Sequence, residues 1–370
     1  GLVMIIMALD HTRDFFHIRA WTQDPLDLAT TTPGLFLTRW ITHFCAPIFT
    51  FLAGTSAWFQ ARSKNRKELS EFLIKRGLWL VLVEIVVLNF AFSFDPSYTI
   101  IGLQTIWSIG VSMIFLGLLI WLPFPAILAI GLVVVLGHNS LDSYETSKKS
   151  DFSLLYSIIH RPGFFPINKS HSLFVLYPVL PWLGIMILGY CFGKLYTTYQ
   201  KIEQRKVILI LGIGVTLFFI LLRALNLYGD PKPWAQQETY LYTLFSFIDT
   251  QKYPPSLLYA GMTIGPGIIF LSLFEKTKNT VTAIIVAFGR VPFFYYILHF
   301  FLIHFLSMMF FLSRGHKFTE GIYEGPNMLP NFIAAKEGYS LGIVYLIWIG
   351  VIIILYPVCK WFSEYKKRHR

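Results

Sequence analysis

The chain has 370 residues, of which 55% are hydrophobic and only 14% charged, and this composition excludes an ordinary soluble globular protein. A mean hydropathy of +0.58 and an aromatic content of 17% are typical of an integral membrane protein. The net charge of +11 would suit nucleic acid binding, but the basic residues cluster in loops between apolar segments, as in membrane proteins. We therefore expect no nucleic acid partner.

Ten apolar segments follow one another along the chain, most of them long enough for the roughly 30 Å hydrocarbon core of a bilayer. They cover about 1–17, 35–58, 73–94, 98–122, 126–137, 172–193, 207–227, 257–274, 291–312 and 341–361. Residues before the first position are expected to complete the first segment, and the short fifth segment predicts a kinked or half-length helix. The predicted fold is an all-α, polytopic transmembrane bundle of about ten helices, forming one domain over residues 1–370.

Basic residues set the predicted orientation of this bundle. They crowd the loops after the second, sixth and eighth segments and the C-terminal tail: Arg62, Lys64, Arg66, Lys67, Lys75 and Arg76; Lys194, Lys201, Arg205 and Lys206; Lys276 and Lys278; and Lys360, Lys366, Lys367, Arg368 and Arg370. With ten helices all of these lie on one side, which the positive-inside rule makes cytoplasmic. We therefore predict cytoplasmic N and C termini and longer loops outside.

The first segment becomes ionisable at its end, where Asp10, His11, Arg13, Asp14 and His17 follow nine mainly apolar residues. The i, i+3, i+4, i+7 spacing puts all but His11 on one helix face, and His11 lies at its margin, three residues from Asp14. Charges within a bilayer are costly unless they pair or face a wet cavity, so this cluster predicts a functional site. The plainer alternative is a solvated cluster beyond the membrane boundary.

Other polar residues are predicted at the same depth as His11, which lies ~9 Å below the outer surface at 1.5 Å per residue. Arg39 and His43, spaced i, i+4 in the second segment, lie ~6 to 12 Å below it. We therefore predict one cavity, in the outer half of the membrane, lined by His11, Asp14, Arg39 and His43. His299 is expected to border its floor, and Gln104 to lie in the same outer layer.

Two further buried polar residues have less specific interpretations. Glu84, in an apolar segment, is expected to pair with Arg39 or Arg76, and His304 to form a hydrogen bond with a neighbouring helix rather than act in catalysis. The three cysteines lie in or beside apolar segments without metal-type spacing, and no metal site is predicted.

Two sequence stretches carry a resemblance to a known family. Residues 1–17, GLVMIIMALDHTRDFFH, and 39–56, RWITHFCAPIFTFLAGTS, resemble the bacterial membrane family similar to heparan-α-glucosaminide N-acetyltransferase. More distantly they resemble membrane-bound O-acyltransferases that modify surface glycans. Residues 177–184, YPVLPWLG, and 289–299, GRVPFFYYILH, also look like segments of the family.

The resemblance implies a membrane-embedded acyltransferase in a bacterial inner membrane. It would move an acyl group, expected to be acetyl, from cytoplasmic acyl-CoA to an extracytoplasmic sugar or glycan acceptor, without a metal. The expected partners are acyl-CoA, the acceptor and the lipid bilayer, and a homodimer is left open. A transporter or flippase for an anionic or lipid-linked solute is the competing interpretation, and a structural membrane protein whose outer loops bind a partner is the third.

The resemblance also assigns the catalytic residues. In the wider superfamily a catalytic His follows ten residues after a Gly that opens the first helix, and Gly1 and His11 have this spacing. His11 ranks first for this spacing and its carboxylate neighbour, and His43 is the alternative. Such a His would take a proton from the acceptor or carry the acyl group, with Asp14 fixing its tautomer. Arg39 or His43 would stabilise the tetrahedral oxyanion.

The remaining candidate residues are expected to bind CoA or the acceptor. Arg290, at the predicted cytoplasmic mouth, would meet a phosphate of CoA, and His299 would also contribute to the CoA site. Asp10, Arg13 and Gln104 are the candidate residues for binding the acceptor.

Overall fold

The computed structural model describes residues 1–148, 152–275 and 277–369. Within this part of the chain, seven helical stretches are long and apolar enough to cross a membrane: Pro33–Gln60, Phe124–Lys148, Val179–Thr198, Lys201–Leu225, Leu257–Phe274, Pro292–Ser313 and Leu341–Arg368. The mainly helical, membrane-spanning class predicted from composition is thereby confirmed. Lys276 and Arg370, two of the predicted cytoplasmic basic residues, and positions 149–151 of the predicted outer loop lie outside the described residues.

The helices and strands are as follows. The helices are α1 (Leu2–Phe16), α2 (Pro33–Thr42), α3 (Cys45–Gln60), α4 (Arg66–Val83), α5 (Asn89–Ser93), α6 (Thr105–Leu119), α7 (Phe124–Gly137), α8 (Leu141–Lys148), α9 (Leu154–Ile159), α10 (Val179–Gly193), α11 (Leu195–Thr198), α12 (Lys201–Leu225), α13 (Tyr240–Ile248), α14 (Leu257–Phe274), α15 (Thr280–Arg290), α16 (Pro292–Ser313) and α17 (Leu341–Arg368). The strands are β1 (Ile100–Leu103), β2 (Gly163–Pro166) and β3 (Ser172–Val175).

The three strands form a small sheet that the all-α prediction missed. Strand β3 lies in the middle, parallel to β1 and antiparallel to β2. The apolar segments predicted as helices from 98 and from 172 therefore become helical only at Thr105 and Val179. A short apolar run does not by itself distinguish a buried strand from a helix, which is why periodicity failed here.

Close backbone packing holds the helices together where small residues meet. A Cβ added at Gly54 of α3 would lie 2.0 Å from the carbonyl oxygen of Met186 in α10. A Cβ at Gly189 would lie equally close, 2.0 Å, to the carbonyl oxygen of Phe51. Thr55 adds a 3.0 Å hydrogen bond to the Gly189 carbonyl. Such contacts replace the hydrophobic effect as the source of helix association inside a membrane.

Helix α1 occupies the centre of this assembly. It contacts α2, α3, α15, α16 and α17, and nine of its 15 residues are buried, Asp10 and Arg13 among them. Neighbouring helices therefore surround the ionisable end of α1, and its charged groups must find partners inside the protein.

Candidate active site

The ionisable end of α1 opens onto a cavity of about 280 Å³. Its wall includes His11 from α1, Arg39 from α2 and Gln104 from the turn before α6. The loop before α14 contributes Lys252 and Tyr253, and the loop before α17 contributes residues 327, 328 and 330. Ligand sites of this kind combine apolar walls with a few convergent polar groups.

A buried ion-pair network forms the charged side of the cavity. Asp10 accepts a 2.5 Å hydrogen bond from Nη1 of Arg39, and its other oxygen lies 3.1 Å from Nη2 of Arg13. The same Arg13 nitrogen lies 2.5 Å from Asp14. Two arginines thus share two carboxylates, which compensates charges that would be costly to bury alone.

Arg13 does not line the cavity itself and is linked to it by its ion pairs with Asp10 and Asp14. Asp10, Asp14 and Arg39 are part of the cavity wall, whereas Arg13 is not and lies 4% exposed behind them. The i, i+3, i+4 spacing therefore predicted real neighbours. The fourth residue of that helix face, His17, lies past the end of α1, where its Nδ1 accepts a hydrogen bond from the backbone of Arg19.

His11 is the histidine that lines the cavity. Its ring is partly exposed and packs on Phe300 with ring centroids 4.2 Å apart. Its Nδ1 is buried and has no hydrogen-bond partner among the described residues, which leaves Nε2 as the ring nitrogen available to a molecule in the cavity. No hydrogen bond joins His11 to Asp14, whose carboxylate instead contacts Arg13.

His43 and His299 lie behind the wall rather than in it. Both are completely buried, and the cavity wall includes neither. The backbone carbonyl of His43 accepts a 2.7 Å hydrogen bond from the Tyr259 hydroxyl, while both His43 ring nitrogens have no hydrogen-bond partner in the part of the chain that the structure describes. The ring of His299 lies 5.2 Å from that of His11, and its Nδ1 lies 3.1 Å from the Tyr295 carbonyl. His299 therefore touches the site through His11.

Arg290 is at another place in the fold. It is exposed at the end of α15, and its carbonyl accepts a 3.2 Å hydrogen bond from Lys366 near the C terminus. The adjacent Gly289 packs against Gly1, since a Cβ added there would lie 2.8 Å from the Gly1 nitrogen. Ten residues of α1, or about 15 Å, separate Gly1 from His11. Arg290 and the cavity thus lie at opposite ends of α1.

The opposite wall of the cavity depends on two polar residues in apolar helices. Asn89 accepts a 2.6 Å hydrogen bond from the Gly102 backbone and donates to the Gly102 carbonyl, which fixes β1 against α5. Glu84 accepts from the backbone N–H groups of Ile106 and Trp107 at 2.9 and 3.0 Å. The expected pairing of Glu84 with Arg39 or Arg76 is therefore wrong. The free N–H groups at the start of α6 satisfy this carboxylate instead.

His304 has the structural role expected of it. Its ring nitrogens lie 3.1 Å from the Ala91 carbonyl and 2.8 Å from the Asn331 carbonyl, so it links α16 to α5 and to the loop before α17.

Lys252 and Tyr253 are two of the cavity residues that sequence reasoning missed. The Lys252 side chain is only 9% exposed, and its Nζ lies 5.1 Å from the centre of the Tyr253 ring. Burial raises the pKa of Tyr253, but the positive charges of Lys252 and Arg39 outweigh this effect and bring the pKa below its ordinary value. The sequence signal for Lys252 was a single charged residue in a loop, which by itself does not distinguish a cavity residue from a surface one.

Comparison with known proteins adds one finding. A family model described as "Heparan-alpha-glucosaminide N-acetyltransferase, catalytic" matches residues 1–223, more than half of the chain. The matched region contains the ion-pair network, His11, Arg39 and Gln104, and it ends before Lys252 and α16. No curated protein and no solved structure matches the chain.

Proposed function

Because the chain belongs to the heparan-α-glucosaminide N-acetyltransferase catalytic family, we propose that it transfers an acetyl group from acetyl-CoA to a sugar or glycan acceptor bound in the cavity at the end of α1. The observation that carries this proposal is the position of His11. It offers one ring nitrogen to a cavity that the Asp10–Arg39 ion pair also lines. A base and a cation beside the same space are what acyl transfer needs.

The reaction would proceed by attack of an acceptor hydroxyl or amine on the thioester carbonyl carbon. The new C–O or C–N bond forms as His11 Nε2 takes the acceptor's proton, and the C–S bond then breaks. The proton passes from His11 to the departing thiolate of CoA. A variant of the same scheme places the acetyl group on His11 first and transfers it to the acceptor in a second step.

Arg39 is the better candidate of the two residues for stabilising the oxyanion. Its side chain lines the cavity and is held by Asp10, so its donors are already oriented before the reaction begins. His43 lies behind the wall and would need a rearrangement to reach substrate. Asp10, Arg13 and Asp14 would act together by keeping Arg39 and the end of α1 in place.

Donor and acceptor would approach from opposite sides. The cavity volume of about 280 Å³ lies at the lower end of small-ligand sites, which suits a sugar ring rather than a whole coenzyme. Arg290 follows Gly289, which packs against Gly1, and Gly1 lies about 15 Å along α1 from His11. Arg290 would therefore meet a CoA phosphate while the flexible thioester arm extends toward His11. His299 is buried behind His11, so CoA in the cavity would reach it only indirectly, through contact with His11. The homodimer remains a prediction.

The proposed topology has ten membrane spans in a bacterial inner membrane. Helices α1, α4 with its continuation through α5, and α6 would add three spans to the seven long apolar stretches. With ten spans, an even number, the basic loops and the C-terminal tail all lie on the same side as the N terminus, which the positive-inside rule makes cytoplasmic. The hydrogen bond between Lys366 and the Arg290 carbonyl supports this, since it brings the tail to the loop before α16.

Cysteine labelling in sealed vesicles tests the topology. Ser143→Cys, on α8, and Ser63→Cys, in the loop after α3, are both exposed, whereas Cys45, Cys191 and Cys359 are buried. A membrane-impermeant maleimide should label the two positions from opposite sides. Labelling of both from the same side would overturn the ten-span arrangement.

Labelled acetyl-CoA tests the proposed activity. Purified protein in nanodiscs should release CoA thiol and acetylate glucosamine or a glucosaminide only when both substrates are present. A transporter or flippase would bind a solute in the same cavity without breaking the thioester. Absence of acceptor-dependent CoA release across amine and hydroxyl sugars would favour that competing interpretation.

A further inference from the structure

The turn between β1 and α6 places Gln104 in the cavity wall with an unengaged side chain. Gln104 is the N-cap residue of α6, but its side chain does not cap the helix, and its amide forms no hydrogen bond with another described residue. An amide carries both donors and an acceptor, a combination that can recognise a sugar hydroxyl. Gln104 therefore has hydrogen-bonding capacity to offer to a molecule in the cavity.

The cap that Gln104 does not supply to α6 comes from Glu84, on a different helix. Oε2 of Glu84 accepts from the backbone N–H groups of Ile106 and Trp107 at 2.9 and 3.0 Å. The first N–H groups of a helix have no partner within the helix, and the helix dipole favours a carboxylate there. The N-cap residue usually fills this role with its own side chain. Because Glu84 fills it instead, the Gln104 side chain is free to face the cavity.

Asn89 holds the other side of the same turn. Its side chain accepts from the Gly102 N–H at 2.6 Å and donates to the Gly102 carbonyl at 3.1 Å. A Cβ added at Gly102 would lie 3.2 Å from Nε2 of Gln104, so a glycine here leaves room for the amide. Gln104 is thus anchored two residues before and two residues after its own position.

A π-helical turn brings Glu84 and Asn89 to the same side of their helix. Glu84–Leu88 form this turn between α4 and α5, and the Asn89 backbone N–H bonds the Glu84 carbonyl, five residues back. The Asn89 side chain donates to the same carbonyl at 2.8 Å. In a regular α-helix two residues five apart point about 140° away from each other, and an i→i+5 turn reduces this angle. The wider turn therefore lets one helix hold both sides of the segment that carries Gln104.

We propose that Glu84 is a positioning residue, which acts through Gln104 to align a hydroxyl of the acceptor in the cavity. The proposal rests on the proposed function, because it takes the cavity as the acceptor site. Glu84 is 2% exposed and is not part of the cavity wall, so its effect on acceptor binding has to pass through the residues that it holds. Asn89 lines the cavity itself, and its substitution would mix the two roles. Glu84 is therefore the residue to test.

Equilibrium binding of tritiated glucosamine in nanodiscs, without acetyl-CoA, tests this role separately from the reaction. The variants are Glu84→Ala, Glu84→Gln, Gln104→Ala and the double variant Glu84→Ala/Gln104→Ala. The matched control is Ser70→Ala, which removes a buried 2.6 Å hydrogen bond to the Gly117 carbonyl, between α4 and α6 and away from the cavity wall. Glu84→Asp, whose carboxylate is one methylene shorter, replaces Glu84→Ala in both variants if that protein is not recovered.

Glu84→Ala and Gln104→Ala should each weaken glucosamine binding on the order of tenfold, which corresponds to about one hydrogen bond. The double variant should bind within about threefold of Gln104→Ala, because residues that act as one unit do not have additive effects. Glu84→Gln should bind within about threefold of the parent, since its amide oxygen can accept from the same N–H groups. Ser70→Ala should bind like the parent. In acetyl transfer, Glu84→Ala should raise KM for the acceptor more than it lowers kcat, since His11 and Arg39 keep their positions.

Three results would overturn the proposal. The first is glucosamine binding that is absent in the parent, or unchanged by Glu84→Ala or by Gln104→Ala. The second is a double variant that loses about a hundredfold, the product of the two single losses, because Glu84 would then act independently of Gln104. The third is an equal loss in Ser70→Ala, which would make weaker binding a general result of loosened packing between α4 and α6. Absence of acetyl transfer together with Glu84-dependent binding would count against the proposed function alone.

Discussion

The two histidines that the sequence put forward, His11 and His43, have opposite surroundings. His11 is partly exposed to a cavity next to a network of two arginines and two carboxylates. His43 is completely buried between α2 and α3, against Tyr259, and does not line the cavity. The two residues were predicted at similar depths, so depth in the membrane does not decide which of them meets substrate. Helix packing decides it.

Arg39 connects the two environments, because it precedes His43 by one helical turn and contacts Asp10, the neighbour of His11. Arg39→Ala should give the largest loss among the residues around these histidines, about 10² to 10³-fold in kcat, since it removes the proposed oxyanion donor. It should also destabilise the fold by roughly 3 kcal/mol, because Asp10 loses one of its two partners. Acetyl-transfer kinetics and thermal melting would measure the two effects.

The control for this prediction is Arg19→Ala, an exposed arginine in the loop after α1. It should keep parent kinetics and stability. An Arg39→Ala protein that melts like the parent and transfers acetyl at the parent rate would remove Arg39 from both roles.

Asp14→Asn should have an intermediate effect, within about tenfold of the parent in kcat, because the side chain lines the cavity but its carboxylate bonds Arg13 rather than the His11 ring. The amide oxygen can still accept from Arg13, so the end of α1 should keep its conformation. Steady-state kinetics over a range of pH would measure this. A loss as large as that of Arg39→Ala would show that Asp14 orients His11 directly during the reaction, as the sequence predicted.

His43→Ala should change the rate least, by no more than about threefold, because the ring does not reach the cavity. Its effect should instead appear as a loss of about 1 to 3 kcal/mol in stability, from removal of a fully buried ring. Transfer assays combined with thermal melting would separate the two. A stable His43→Ala protein with a rate reduced a hundredfold would make His43 a participant in the chemistry.

The sequence predicted the site best where its residues share one helix. The spacing of Asp10, Arg13 and Asp14 on α1 correctly indicated neighbours, because helical geometry fixes which side chains meet. The pairing of Asp10 with Arg39 was harder, since it joins two helices separated by a 16-residue connection from 17 to 32. The depth argument placed Arg39 in one layer with His11, the neighbour of Asp10, but could not choose the partner of Arg39.

The remaining features depend on contacts that the sequence does not specify. Lys252 reaches the cavity only because Arg223 and Asp230 hold a distant loop over it. Glu84 accepts from backbone N–H groups at the start of α6, and no residue pattern distinguishes this from an ion pair. Strands β1 and β3 are short apolar stretches that read as parts of helices until their pairing is known.

The most direct test of the account compares acceptor-dependent CoA release by the parent, His11→Ala and His171→Ala in the same nanodiscs. His171 is a partly exposed histidine in the loop before β3 and is not part of the cavity wall. The account predicts that His11→Ala loses at least about 10²-fold in kcat, melts near the parent temperature and still binds the acceptor, whereas His171→Ala behaves like the parent. A well-folded His11→Ala protein that releases CoA at the parent rate would contradict the account.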